Sequence, residues 1–131
     1  MKISASGEYA VRLLVEFAKY DNFVALKDIA VKQDISIKFA EKIVSRLLKN
    51  GILESQRGQD GGYKLAKKPT ECTIKEILET TGDCSSIVAC IDNECPKKAE
   101  CSSISVWVKL NGLINEFLDK ITLNDLLEKN I

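Results

Sequence analysis

The segment that most restricts how this chain can fold runs from Ser36 to Leu65. Ser36 can cap a helix over residues 37–49, and Asn50-Gly51 supplies its stop. Within that helix Ala40, Ile43, Val44 and Leu47 recur on one face. Lys38, Lys42, Arg46 and Lys49 follow one another at intervals of four, four and three, so they line one outer stripe. Two short strands come next, over 52–57 and 63–65, on either side of Gly58-Gln59-Asp60-Gly61-Gly62. The three glycines permit the positive φ angles of a tight hairpin, and Arg57 is carried to its tip.

The residues before this segment complete a pattern. Ala10, Leu13, Leu14, Phe17 and Ala18 recur at helical spacing in 6–19, with Ser6 as the expected cap. Glu8 suits the positive end of that helix, and Asp21 and Asn22 break it. A short second helix is expected over 26–33, with Leu26, Ile29 and Ala30 inward, followed by a tight Asp34-Ile35 connection. Two short helices, a tight connection and a basic third helix are the plan of a helix-turn-helix; the hairpin adds a wing. The expected fold is mainly α with a small β-hairpin wing.

Beyond Pro69, Thr73-Ile74-Lys75-Glu76 matches a capping box and opens a helix that Gly82 stops. Residues 83–101 read as an irregular loop, and a long helix follows from Ser103 to Lys120. In it Trp107, Leu110, Ile114, Phe117 and Ile121 step by three, four, three and four. That seam suits a second helix, either a partner subunit's or, with the helix folded back, the chain's own head. Thr122 can cap a last short helix. The expected division is a winged helix-turn-helix over 1–82, a cysteine-rich loop over 83–102, and a dimerisation helix with its tail over 103–131.

Composition narrows the chemistry. The 131 residues include no histidine, which excludes Ser/His and Cys/His catalysis and every His-ligated metal site. Net charge is zero, but residues 1–70 hold 13 Lys/Arg against 8 Asp/Glu, and residues 71–131 hold 6 against 11. A basic front and an acidic rear fit a nucleic-acid-reading head on a regulatory or dimerising back. No apolar run is long enough to cross a membrane and no leader pattern is present, so a soluble cytoplasmic protein is expected. Five cysteines, an odd count without a secretory signal, point to metal binding or redox chemistry rather than a disulfide framework. A thiol oxidoreductase is disfavoured because no Cys-x-x-Cys occurs.

The run from Ser36 through RGQDGGYKLAKKP closely resembles the IscR/NsrR/CymR family of bacterial winged-helix regulators. The opening MKISASGEYAVRLL, the stretch Thr73 to Gly82, CSSISVW and DKITLNDLLE are similar to that family as well, so the resemblance spans nearly the whole chain. It implies a homodimeric transcriptional regulator, not an enzyme, on a near-palindromic operator in double-stranded DNA. Each basic helix would enter a major groove and each wing the flanking minor groove. Lys38, Lys42, Arg46 and Lys49 can neutralise phosphates or donate to guanine edges, and Ser36 marks a helix N-terminus suited to phosphate. By position Lys38, Glu41 and Lys42 match base-facing residues of the family; Glu41 could accept from a cytosine amino group. Arg57, presented by Gly58, would occupy a narrow minor groove.

Cys90-x4-Cys95-x5-Cys101 places three thiols in one loop, and thiolates suit iron–sulfur clusters and zinc. The resemblance strengthens this, because iron–sulfur members carry three cysteines here, and the spacing looks like the NsrR branch. The implied cofactor is a [2Fe-2S] or [4Fe-4S] cluster that senses nitric oxide, redox state or iron–sulfur status. Ile104 stands where IscR-type proteins use histidine as the fourth ligand. Glu8 matches a carboxylate ligand of NsrR-type proteins, supplied by the other subunit, and is the expected fourth ligand; Cys84 is the alternative. Glu8 could instead only complement its helix dipole. Cys72 is expected to be a small apolar filler. A cluster-free regulator of the same family, controlled by a partner protein or by thiol oxidation, is the other functional reading.

Overall fold

A computed structural model describes residues 2–83, 87, 91 and 98–131. Cys84, Cys90 and Cys95 lie outside the described residues. The first helix, α1, is Ala5–Phe17. Its cap is Ser4, not the expected Ser6: the Gly7 N–H donates to Ser4 Oγ at 3.0 Å. The reason is tertiary. Asp83 accepts from both the Ser4 N–H and the Ser4 hydroxyl, which fixes the cap two residues earlier and leaves Ser6 inside the helix. Ala10, Leu13, Leu14 and Phe17 of α1 are fully buried.

Helix α2, Leu26–Lys32, buries Leu26, Ile29 and Ala30 as their spacing predicts. Gln33 ends it, Asp34 turns the chain at φ +52°, and the Ile35 N–H returns to the Ala30 carbonyl at 3.0 Å. Helix α3, Ile37–Lys49, is capped by Ser36, whose Oγ accepts from the Phe39 N–H at 3.2 Å. Ala40, Ile43, Val44 and Leu47 enter the core. Gly51, at φ +72°, reverses the chain so that the Ile52 N–H reaches the Leu47 carbonyl.

Strands β1, Leu53–Gln56, and β2, Gly62–Leu65, pair antiparallel, with Leu53 opposite Leu65 and Gln56 opposite Gly62. The hairpin does not stand alone. Tyr63 exchanges both backbone hydrogen bonds with Val24 at 2.9 Å, and its ring meets Phe17 edge-on. Gly62 is what lets Val24 approach. Its φ is +147°, and a Cβ there would lie 2.2 Å from the Val24 carbonyl oxygen. The wing base is therefore sewn to the α1–α2 connection.

Helix α4, Ile74–Thr80, carries only half of the expected capping box. Thr73 Oγ1 accepts from the Glu76 N–H at 3.1 Å, but the Glu76 carboxylate turns to Lys67 Nζ, 2.6 Å from each oxygen. A full charge partner outcompetes a backbone N–H for that carboxylate. The long helix α5, Ile104–Lys120, packs against α4. After it the chain returns to the core. The Ile74 N–H donates to the Ile121 carbonyl, the Leu123 N–H donates to the Cys72 carbonyl, and Leu123 is fully buried. The last helix, α6 (Leu123–Leu127), has the complete reciprocal cap between Thr122 and Asp125. No helix among the described residues is long and apolar enough to cross a membrane.

Candidate nucleic-acid interface and cysteine segment

Helix α3 has one face in the core, and this decides what its other face must be. Lys38, Glu41, Lys42, Arg46 and Lys49 are all exposed, on the side opposite Ala40, Ile43, Val44 and Leu47. The cap at Ser36 leaves the N-terminal end of α3 open to solvent. The chain then runs directly into the wing, whose turn residues Arg57 and Gly58 are exposed, with Gly58 at φ +111°. Lys64 and Glu54 pair across the two strands at 3.5 Å. Ser6, displaced from its expected capping role, borders the basic face beside Phe39, Lys42 and Arg46. Nothing in local sequence marks it, because its place depends on how α1 crosses α3.

Asp83 closes the described part of the chain before the cysteine segment, and it is buried. Burial alone would raise its carboxyl above the ordinary range. Hydrogen bonds donated by the Thr81 hydroxyl and by the Ser4 N–H and hydroxyl, with the charge of Arg46 behind them, hold it below that range instead. Gly7 is part of this joint: a Cβ there would lie 2.3 Å from Asp83 Oδ2. The start of the cysteine segment is thus tied to the first turn of α1, the turn that carries Glu8.

At the other end of the segment, Cys101 lies exposed just before α5. The Ser103 hydroxyl lies 3.3 Å from its Sγ, and with the Ser103 and Ile104 backbone it holds the thiol below its ordinary range. A thiol lowered in this way gives up its proton more readily than an ordinary cysteine, as a thiolate ligand must. Glu8 is exposed on α1. Among the described residues no three His, Cys, Asp or Glu side chains gather as a metal site. Cys72, by contrast, is fully buried, and burial first, with Glu76 adding to it, pushes its thiol up to about 11. It is the apolar filler its position suggested.

The α5 seam divides in two. Ile114, Leu118 and Ile121 are half-buried, whereas Trp107, Leu110, Leu113 and Phe117 remain exposed. Between α1, α4 and α5 runs a mainly apolar groove of about 510 Å³, bordered by Ile3, Glu8, Arg12, Ile74, Leu78 and Leu118. The single chain leaves this surface open.

Comparison with known proteins agrees with this architecture. The model of the Rrf2 family, described as an iron-dependent transcriptional regulator, matches residues 3–129. The chain is 32% identical over 133 residues to the HTH-type transcriptional regulator IscR of Aliivibrio salmonicida, covering 99% of this chain and 79% of that protein. Among solved structures, CymR, the global cysteine regulator of B. subtilis, superposes with a TM-score of 0.82 at 32% identity, over 100% of this chain and 99% of that one. T. potens IscR superposes with a TM-score of 0.78 at 30% identity, over 100% and 89%. A winged helix with an exposed basic third helix, matched almost end to end by named regulators, places this chain in the Rrf2 family of transcriptional regulators, the family of IscR and CymR.

Proposed function

We propose that this protein is a homodimeric repressor of transcription whose affinity for a near-palindromic operator follows the state of an iron–sulfur cluster. The observation that carries the reading is the set of exposed basic side chains, Lys38, Lys42, Arg46 and Lys49 on α3 and Arg57 on the wing that follows it. Arg46 and Lys49 supply phosphate contacts, and Ser36 adds a helix N-terminus. Lys38, Glu41 and Lys42 face base edges in the major groove; Arg57, presented by Gly58, occupies the minor groove. Residues 1–82 read DNA, 83–102 carry the metal ligands, and 103–131 supply the dimer seam. The exposed side chains of α5 and the groove beside α1 are the surfaces that a second copy would cover.

Cys90, Cys95 and Cys101 would hold the cluster, with Glu8 contributed across the dimer as the fourth ligand and Cys84 as its rival. The donor set fits: the one thiol of the three that is described is exposed, is held below its ordinary range by Ser103, and lies just before α5. When bound, such a group supplies iron that reacts with nitric oxide and changes redox state. The segment that would bear it is tied to α1 through Asp83 at one end and continues into α5 at the other. A change at the cysteines would therefore act on the two elements that set the separation of paired α3 helices. A second reading, a regulator under thiol or partner control without a cluster, draws on the close superposition with the cysteine regulator CymR.

The test is selection of duplexes from a random pool by anaerobically purified protein, with iron and sulfide counted on the same sample. The expected result is two inverted half-sites whose centres lie about one helical turn, or a multiple of it, apart. A molecule that binds as a monomer, or ignores duplex DNA, overturns the reading. DNA binding by a dimer that takes up no iron leaves the cluster-free regulator.

A further inference from the structure

Arg12 sits half-buried on α1, away from the basic stripe, yet it grips the turn that aims α3. Its Nε donates to Gln33 Oε1 at 2.9 Å, and a terminal guanidinium nitrogen donates to the Gln33 carbonyl, also at 2.9 Å. Gln33 is the C-cap of α2, where the last carbonyls of a helix lack partners within it. One terminal guanidinium nitrogen of Arg12 fills that vacancy, while Nε, in the same plane, holds the Gln33 side chain. The Gln33 amide then donates to Glu16 at 3.0 Å, and Glu16 is buried and also takes Lys19. Immediately after Gln33, Asp34 adopts φ +52° and the chain enters α3.

A second contact runs to α3 itself. The Arg12 guanidinium lies 4.5 Å from the Tyr9 ring centroid. The Tyr9 ring packs edge-on against Phe39, 5.7 Å between centroids at 82°. Phe39 is in the first turn of α3, next to Lys38. One guanidinium thus links the end of α2 to the ring that braces the beginning of α3.

We propose that Arg12 is a positioning residue for operator recognition, acting through Gln33 and Tyr9 to set the direction of α3 without touching DNA itself. This rests on the proposed DNA-reading function. Base contacts need side-chain placement to a fraction of an ångström, whereas phosphate contacts tolerate misalignment. Losing the grip should therefore cost specificity before it costs general affinity.

The test compares the full-length wild-type protein, Arg12→Met, Gln33→Leu and the double variant. Binding is measured on the duplex selected by the wild type and on a scrambled duplex, over a range of salt. Arg12→Met should lower the ratio of operator to scrambled affinity by about tenfold, the weight of one charge-assisted hydrogen bond. Scrambled-duplex affinity and the salt slope should not move, because no phosphate contact is lost. Gln33→Leu, at a residue that does not itself line the groove between α1 and α5, should reproduce part of the effect, and the double variant should be no worse than Arg12→Met. An unchanged ratio overturns the proposal. So does a salt slope lower by about one, which would make Arg12 a direct phosphate ligand. Additive single effects, or a loss that tracks dissociation of the dimer, overturn it as well. Failure of the wild type to prefer any duplex would instead remove the function on which the inference stands.

Discussion

The Asp83 carboxylate holds Ser4 by two hydrogen bonds, from its N–H at 2.9 Å and its hydroxyl at 2.8 Å, across 79 residues of chain. Ser4 in turn caps α1, so one buried side chain both starts the first helix and anchors the entrance to the cysteine segment. Asp83→Ala should destabilise the protein by about 1–3 kcal/mol, because it removes the acceptor for three donors. Gly7→Ala should cost a similar amount, about 1–3 kcal/mol, since its Cβ needs the space of Asp83 Oδ2. Chemical denaturation at neutral pH measures both. If Gly7→Ala in an Asp83→Ala background costs as much as it does alone, the two do not share a joint.

The two parts of the basic face should behave differently. Arg57→Ala should weaken operator binding by more than about tenfold, because a guanidinium in a narrow minor groove sits where the potential is most negative. Lys49→Ala should weaken binding to all duplexes alike and lower the salt slope by about one. Glu41→Ala should leave affinity nearly level but relax the base preference at one position of each half-site. Parallel selections with the three variants check this, and identical profiles would remove the distinction between reading and positioning contacts.

Phe117 and Leu113 are 57% and 55% exposed on α5, so a charge there costs the isolated chain little. Phe117→Glu should yield a folded monomer by sedimentation, with full-length operator affinity down by at least about a hundredfold while half-site binding persists. A variant that remains a dimer would move the interface away from this face.

Cys90→Ser, Cys95→Ser and Cys101→Ser should each abolish retention of iron after anaerobic reconstitution without changing the far-ultraviolet circular dichroism. Of Glu8→Ala and Cys84→Ser, only the variant that removes the fourth ligand should weaken retention. Equal retention in both would leave neither residue in that role.

The Cys72 thiol, pushed up to about 11 by burial, should be ionised in roughly one molecule in a thousand at pH 8. In apo protein, Cys101 should alkylate within the time that Cys72 remains unlabelled, and Cys72 should react only on unfolding. Mass-spectrometric mapping of a timed alkylation decides this; early modification of Cys72 would place it outside the core.

Much of the recognition unit was legible in the chain itself. Helix α3, its Ser36 cap, its Gly51 stop and its two faces depend on residues within four positions of one another, and each lies where its spacing predicts. The wing was equally readable, because glycines at positive φ have few other uses. The same locality explains the errors. Ser6 and Ser4 are equivalent candidates for a cap until Asp83 selects Ser4. Glu76 completes a capping box on paper, but Lys67 draws it away. Trp107 and Phe117 belong to one seam by spacing, yet only its Ile114–Ile121 side finds cover within the chain.

What the sequence determined alone was periodicity and local chemistry: which segments are helical, where they start and stop, and which face is basic. Those properties are set by interactions over a few residues, so they survive translation into one dimension. Only the tertiary structure decided which of several possible partners each polar group takes. Asp83 with Ser4 and Arg12 with Gln33, 79 and 21 residues apart, meet because α1 packs against α2, α3 and α4. No spacing rule carries that information, since it is the packing of apolar faces that brings distant donors and acceptors within reach.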